Sequence, residues 1–202
     1  MSEEPDHYFT AQPASAAERR RTVVELAGQE LEVDVASGVF SPGGVDKGTR
    51  VLLREVPAPP ATGDLLDLGC GWGPVALSMA LASPGATVWA VDVNERALDL
   101  LRSTAARLGL ENVRAVRAED VPDDVRFAAI WSNPPIRVGK VVLHDLLRAW
   151  LPRLAPGGEA WLVVQKNLGG DSVQRWLADT LGEGYRVERA ATDKGFRVLR
   201  VD

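Results

Sequence analysis

Asp67, Gly69, Gly71 and Gly73 stand in the order D-x-G-x-G-x-G. Glycines at this spacing allow a tight turn and let a ligand approach bare backbone amides. A dinucleotide loop would need a third glycine at position 74, which is Pro74, and a Walker phosphate loop would need G-K-[ST], which does not occur. The carboxylate ahead of the turn suits a ligand carrying an ammonium group better than a pyrophosphate. Asp92, 19 residues beyond Gly73, can accept from two ribose hydroxyls. Each feature alone has a structural reading: the glycines as a strand-to-helix turn, Asp92 as a helix cap. Their order and spacing point instead to a ligand with both an amino-acid ammonium and a ribose, which describes S-adenosylmethionine. Glu119 and Asp120 lie farther on, and either can accept from an adenine amino group, with Glu119 favoured by position.

A second group is Asn133-Pro134-Pro135-Ile136. Two prolines fix φ at successive residues and restrict the residue before them, so the turn is rigid and projects the Asn133 amide. An exocyclic amine on an aromatic ring is a poor nucleophile because its lone pair is delocalised. The Asn133 side-chain oxygen and the Pro134 carbonyl can accept its two N–H groups and favour a pyramidal nitrogen aimed at an electrophilic methyl. No strong base is required, because the nitrogen becomes acidic as it is alkylated. The chemistry is orientation plus preorganised electrostatics.

These groups must be carried to one place. Period-two alternation over 22–26 and 31–35 predicts a β-hairpin, followed by a loop and a helix over 47–56. The run 57–63, rich in proline, reads as a linker. From Asp64 strands and helices alternate. Strands are predicted at 65–68, 86–91, 113–117, 127–131 and 161–164, and helices at 74–82, 97–108, 141–154 and 172–181. Asn94 is the expected cap of the second of these helices. Two last strands, 185–191 and 196–201, form a terminal hairpin. The pattern predicts an α/β fold, a mostly parallel sheet with helices on both faces, and each motif falls at the carboxyl end of a strand, where such sheets bind ligands.

Hydrophobic residues make up 46 % of the 202, enough for a substantial core, and no apolar run approaches a membrane span. The polar, acidic start does not read as a signal peptide, and the single cysteine, Cys70, excludes a disulfide framework or Cys-rich metal site. A cytoplasmic protein is expected, with no membrane partner and no metal. The net charge of −5 hides an asymmetry: residues 1–60 and 61–136 carry −4 each, and residues 137–202 carry +3. A polyanion would meet the last third.

The chain resembles class I S-adenosylmethionine-dependent methyltransferases, and within them the methyltransferase small-domain family that includes guanine-N2 methyltransferases of small-subunit ribosomal RNA. The resemblance rests on His7-Tyr8-Phe9, Gly38-Val39-Phe40-Ser41, Val45-Asp46-Lys47-Gly48-Thr49, the run from Asp67 to Gly73, Asp92, and Asn133-Pro134-Pro135-Ile136. It implies a Rossmann-like seven-stranded sheet with a reversed last strand. It also implies that Phe40, Lys47, Gly48 and Thr49 line the cofactor side of the pocket, beside Asp67, Gly69, Gly71, Gly73, Asp92, Glu119 and Asn133. Many relatives carry an aromatic residue after the two prolines, where Ile136 offers only apolar surface.

The expected organisation is an arm over 1–20, a cover over 21–60 made of hairpin, loop and short helix, and a catalytic domain over 61–202. The expected activity is N-methylation of a base in structured RNA or a ribosomal particle, with guanine N2 favoured. Adenine N6 or a protein glutamine amide are alternatives, and a non-catalytic cofactor-binding scaffold is an alternative of another class. Pro135, Ile136, Arg137, Lys140 and Lys166 are the expected substrate contacts. His144 reads as a partly exposed helix residue, Cys70 as a space-filler, Trp89, Trp161 and Trp176 as core, Trp72 as packing or cofactor contact, and Arg19-Arg20-Arg21 as a solvated run.

Overall fold

The computed structural model describes residues 18–135 and 138–202. The N-terminal residues up to 17, and Ile136 and Arg137 with their expected roles, lie outside the described residues. Strands β1 (Arg20–Leu26) and β2 (Gln29–Val35) pair antiparallel as a separate two-stranded sheet. The sequence predicts a four-residue connection here. The turn is instead the pair Ala27-Gly28, both at positive φ (50° and 73°), the backbone whose twist matches that of the flanking strands. The hairpin is fastened to the rest through Asp34. Its amide donates to Thr104 Oγ1 (3.0 Å), and its carboxylate accepts from Ser103 (2.8 Å) and pairs with Arg107 (3.2 Å). Burial pushes the Asp34 carboxyl up, but the Ser103 hydrogen bond and the Arg107 guanidinium outweigh it and hold it below its ordinary value.

Helix α1 (Lys47–Glu55) follows, then the alternating unit: β3 (Thr62–Leu68), α2 (Pro74–Ala82), β4 (Gly85–Val91), α3 (Glu95–Arg107), β5 (Val113–Val116), β6 (Phe127–Ser132), α4 (Lys140–Trp150), β7 (Leu154–Gln165), α5 (Gly170–Leu181), β8 (Val187–Asp193) and β9 (Phe196–Val201). The seven strands from β3 onward form one sheet in the order β5-β4-β3-β6-β7-β9-β8. Pairing is parallel from β5 across to β7, and β9 runs antiparallel to both neighbours. The chain steps outward from β3 through β4 to β5 and then returns to β6 on the other side of β3. That reversal opens a crevice above the carboxyl ends of β3, β4 and β6.

Alternation along β3 divides the core. Leu65 joins a cluster with α2, α3 and the hairpin, while Leu66 and Leu68 join a second cluster with α4 and α5. Each of the three is 1 % exposed or less, a burial worth about 1.5–3 kcal/mol per side chain. Helix α2, PVALSMALA, is apolar on every side and accordingly enclosed.

One predicted boundary is corrected. The helix expected over 141–154 stops at Trp150, and a 3₁₀ turn over Leu151–Arg153 follows. Leu151 still has helical backbone, but Pro152 lacks the amide hydrogen that a continuing α-helix would use. Strand β7 therefore starts at Leu154 and carries Pro156-Gly157-Gly158 inside it as an irregularity, with Phe127 opposite Leu154 but Ala129 opposite Glu159. Gly158 is required there, since a Cβ would stand 2.7 Å from the Phe127 carbonyl oxygen.

Candidate active site

The loop after β3 is built from backbone. Gly69, Gly71 and Gly73 all have positive φ (77°, 54° and 96°), so a side chain at any of them would strain the turn. The amides of Gly69 and Cys70 donate to the Val91 carbonyl (2.8 and 3.0 Å), tying the loop to the end of β4. Asp92, just past β4, accepts from Gly71 N–H on one oxygen (2.8 Å) and Asn94 N–H on the other (2.9 Å). A carboxylate offers about four acceptor positions, and the Val93 amide also acts on this one, so the backbone leaves it able to accept from a ligand without filling it. Burial pushes the Asp92 carboxyl up, and its backbone hydrogen bonds oppose that rise. Asn94 caps α3 and also donates to the Gly38 carbonyl (2.8 Å), which anchors the 37–44 loop over the crevice.

Asn133 follows β6, whose last residue, Ser132, donates to the Leu68 carbonyl (2.6 Å) and locks the ends of β6 and β3 together. The Asn133 Nδ2 group donates to Asp46 (3.0 Å) and to Thr49 Oγ1 (3.1 Å). Asp46 is the N-cap of α1 and accepts from the amides of Gly48 (2.8 Å) and Thr49 (3.3 Å) and from the Thr49 hydroxyl. With its hydroxyl hydrogen committed to Asp46, Thr49 can only accept from Asn133. Both donors of the amide are thereby used. Its oxygen, an acceptor, has no hydrogen-bond partner among the described residues.

These elements enclose a cleft of about 520 Å³, of the size that holds a nucleoside-sized ligand. At one end its wall includes Gly69, Gly71 with Phe40 beside it, Asp92, Val93 and Glu119; at the other, Asp46, Asn133, Pro134, Gln165 and Phe196. Val142, Leu146 and Trp150, four residues apart on α4, add an apolar side.

Phe40, Gly69, Gly71, Asp92, Glu119, Asn133, Pro134 and Pro135 thus meet in one wall. Glu119 lines it and Asp120 does not. Asp67, expected to receive an ammonium group, lies outside the wall. It is 1 % exposed and accepts from the Ala76 amide (2.9 Å), capping α2 from beneath because Gly73 has no side chain to do so. Burial, with the nearby Asp92 charge, pushes its carboxyl up to about 8. Gly73 is likewise a packing position, where a Cβ would collide with Leu101. Lys47 is exposed and outside the wall, while Gly48 and Thr49 sit behind Asn133. Lys140 and Lys166 are exposed beside the cleft.

Sequence reasoning missed Asp46, Gln165 and Phe196. Asp46 had a usable signal, an acidic N-cap two residues ahead of a glycine; the other two had none. Trp72 packs, 1 % exposed, with its indole N–H on the Ser41 carbonyl (3.2 Å). His144 stacks on Trp176 at 3.6 Å, and Trp176 and Trp89 are both partly buried rather than core, the Trp89 indole N–H donating to Asp64 (2.7 Å). Burial and then the charges of Arg148 and Lys140 lower the His144 pKa. Burial raises the Cys70 thiol pKa well above its ordinary value, which keeps it inert. Among the described residues no acid, histidine and cysteine group could hold a metal, and no helix is long and apolar enough to cross a membrane.

Comparison with known proteins identifies the family of the chain. A Bacillus subtilis protein, YbxB, is 33 % identical over 198 residues, covering 96 % of this chain and 97 % of its own. Ribosomal RNA small subunit methyltransferase C of Pseudomonas aeruginosa is 34 % identical over 195 residues, 89 % of this chain and 57 % of that protein. The chain thus spans about half the length of the ribosomal RNA methyltransferases it matches. The 16S rRNA N2 methyltransferase RsmC of T. thermophilus, solved with AdoMet and guanosine, superposes with a TM-score of 0.79 at 25 % identity, covering 94 % of this chain and 52 % of that one. The profile of the methyltransferase small domain matches residues 30–200. This chain belongs to the methyltransferase small-domain family.

Proposed function

We propose that the protein is an S-adenosylmethionine-dependent N-methyltransferase of structured RNA, with guanine N2 in small-subunit ribosomal RNA as the acceptor. The observation that carries the acceptor chemistry is the pinned Asn133 amide, both of whose N–H groups are held by Asp46 and Thr49. Its oxygen is then free to accept an N–H of a planar amine, and the Pro134 carbonyl is the second acceptor in the turn. The names and bound ligands of the relatives support RNA and guanine as the acceptor.

The residues fit the cofactor. The left-handed glycines expose backbone at the carboxyl end of β3, Asp92 could accept from ribose hydroxyls, and Glu119, which lines the same cleft with Val93, could accept from an adenine amino group. When bound, the cofactor supplies an electrophilic sulfonium methyl. Asn133 and Pro134 orient the acceptor nitrogen, and solvent takes the proton that the nitrogen sheds. Within this reading residues 21–60 are a cover that delivers Phe40, Asp46 and Thr49 to a catalytic unit of 61–202.

The test is transfer of labelled methyl to total RNA and to total protein, followed by nucleoside digestion. N2-methylguanosine in the RNA fraction is the expected product. N6-methyladenosine or label in protein would replace the acceptor, and no transfer with intact cofactor binding would favour a scaffold.

A further inference from the structure

We infer that Lys47, Lys140, Lys166 and Lys194 form a phosphate-gripping rim around the acceptor end of the cleft, and that it fits the backbone of single-stranded or looped RNA flanking the target base. This rests on the RNA reading above and assigns the surface that holds the acceptor.

The basic residues of this chain divide sharply. It has nineteen arginines and four lysines. Every described arginine is engaged, by a carboxylate, a carbonyl oxygen or an aromatic ring. All four lysines are exposed, and among the described residues none of their ammonium groups is hydrogen-bonded or ion-paired. Asp171 is the acid that Lys166 influences. The Arg197 hydrogen bond holds its carboxyl below the ordinary value, with Lys166 a lesser influence, and it is committed to Arg197 (3.2 Å) and Arg189 (2.7 Å).

Their placement is as selective as their freedom. Each lysine lies one or two residues from a residue of the cleft wall, and on a different segment. Lys47 follows Asp46 at the start of α1, and Lys140 follows Val138 at the start of α4. Lys166 follows Gln165 at the end of β7, and Lys194 precedes Phe196 in the β8–β9 turn. Three of these segments converge. The Lys166 amide donates to the Gly195 carbonyl (2.8 Å), and a Cβ on Gly48 would stand 3.0 Å from Phe196 Cε1. Lys140 opens α4, whose Val142 and Leu146 line the cleft.

The cleft wall is acidic on balance, with Asp46, Asp92 and Glu119 against one base, Arg117, which pairs with Glu119 (3.6 Å). A phosphate is repelled from the interior and attracted to the rim, while an uncharged base can enter. Lysine suits this task because a flexible point charge follows a backbone whose phosphates shift, whereas an arginine fork fixes one geometry. The net charge of −5 conceals the rim, because residues 137–202, which hold three of the four lysines, carry +3.

The experiment measures binding of a fluorescein-labelled single-stranded oligoribonucleotide by anisotropy across a salt series. The variants are the fourfold Lys→Gln, the fourfold Lys→Arg, and Arg126→Gln/Arg186→Gln as a control, each checked for its melting temperature and S-adenosylmethionine affinity. Each lysine on a phosphate contributes about 0.7 to the slope of log affinity against log salt, so the fourfold Lys→Gln variant should lose about 3. The Lys→Arg variant and the control should keep the wild-type slope. An unchanged slope in a folded, cofactor-binding Lys→Gln protein overturns the rim, and wild-type labelling of RNA would then leave the methyltransferase reading standing. Wild-type labelling of protein alone, with the Lys→Gln variant raising KM for an acidic acceptor, overturns RNA as the partner.

Discussion

The two ends of the cleft are built by different means. The cofactor end draws on consecutive loops between Leu68 and Glu119, at the tips of three neighbouring parallel strands. Its groups are backbone amides and a carboxylate already partly satisfied by that backbone. The acceptor end joins Asn133 to Asp46 and Thr49, which lie 87 and 84 residues away, and adds Gln165 and Phe196 from β7 and β9. One end is held by local geometry, the other by tertiary docking of α1. A substitution should therefore damage one function at a time.

The largest effect is expected at the cofactor end. Asp92→Ala removes two ligand hydrogen bonds to a charged acceptor, each worth about 1.5–3 kcal/mol. Calorimetry should show S-adenosylmethionine affinity falling by orders of magnitude in a folded protein, and unchanged affinity would remove Asp92 from the ribose site. Asn133→Ala should do the converse. Losing one preorganised partner costs about 2.7–4 kcal/mol, or 10²–10³ in rate, by analogy with an oxyanion-hole donor. Single-turnover transfer should slow by that much while cofactor affinity holds; a fully active variant would make the turn architectural only.

Asp46→Asn tests whether the two ends are joined through α1. An asparagine still caps the helix, so the melting temperature should hold. It no longer dictates which way the Asn133 amide faces, so kcat should fall about tenfold, the weight of one hydrogen bond of about 1.4 kcal/mol. KM for the cofactor should not move. An equal loss of kcat and stability would mean that Asp46 only supports the fold.

The smallest effect on the cleft is expected at Asp67, which lies outside its wall and acts on stability instead. The folded protein keeps its carboxyl protonated up to about 8, while the unfolded chain releases that proton near the ordinary 3.8. Its contribution to stability is therefore full below 3.8, declines as pH rises, and is lost above about 8. Asp67→Asn keeps an acceptor for the Ala76 amide and does not titrate. Melting curves of the two proteins should diverge across that range in favour of Asp67→Asn at high pH, with cofactor affinity little changed. A pH-independent difference would place the charged form in the folded state.

The sequence alone carried the alternating fold, the glycine turn, Asp92 and the Asn133 turn. These follow from period, from φ restrictions and from the fixed rise of a strand into a helix, all properties of a dozen neighbouring residues. It could not place Asp67, because the face on which a strand residue lands depends on what packs there. It mistook the end of α4, because the apolar period runs on past Trp150 while Pro152, which lacks an amide hydrogen, turns the chain into a 3₁₀ turn. Nor could it show that Asp46 and Thr49 hold Asn133, or that four lysines on four segments share one rim. Those juxtapositions exist only once α1, β7 and β9 are docked, since a charge or hydrogen-bond donor has no partner in sequence, only in space.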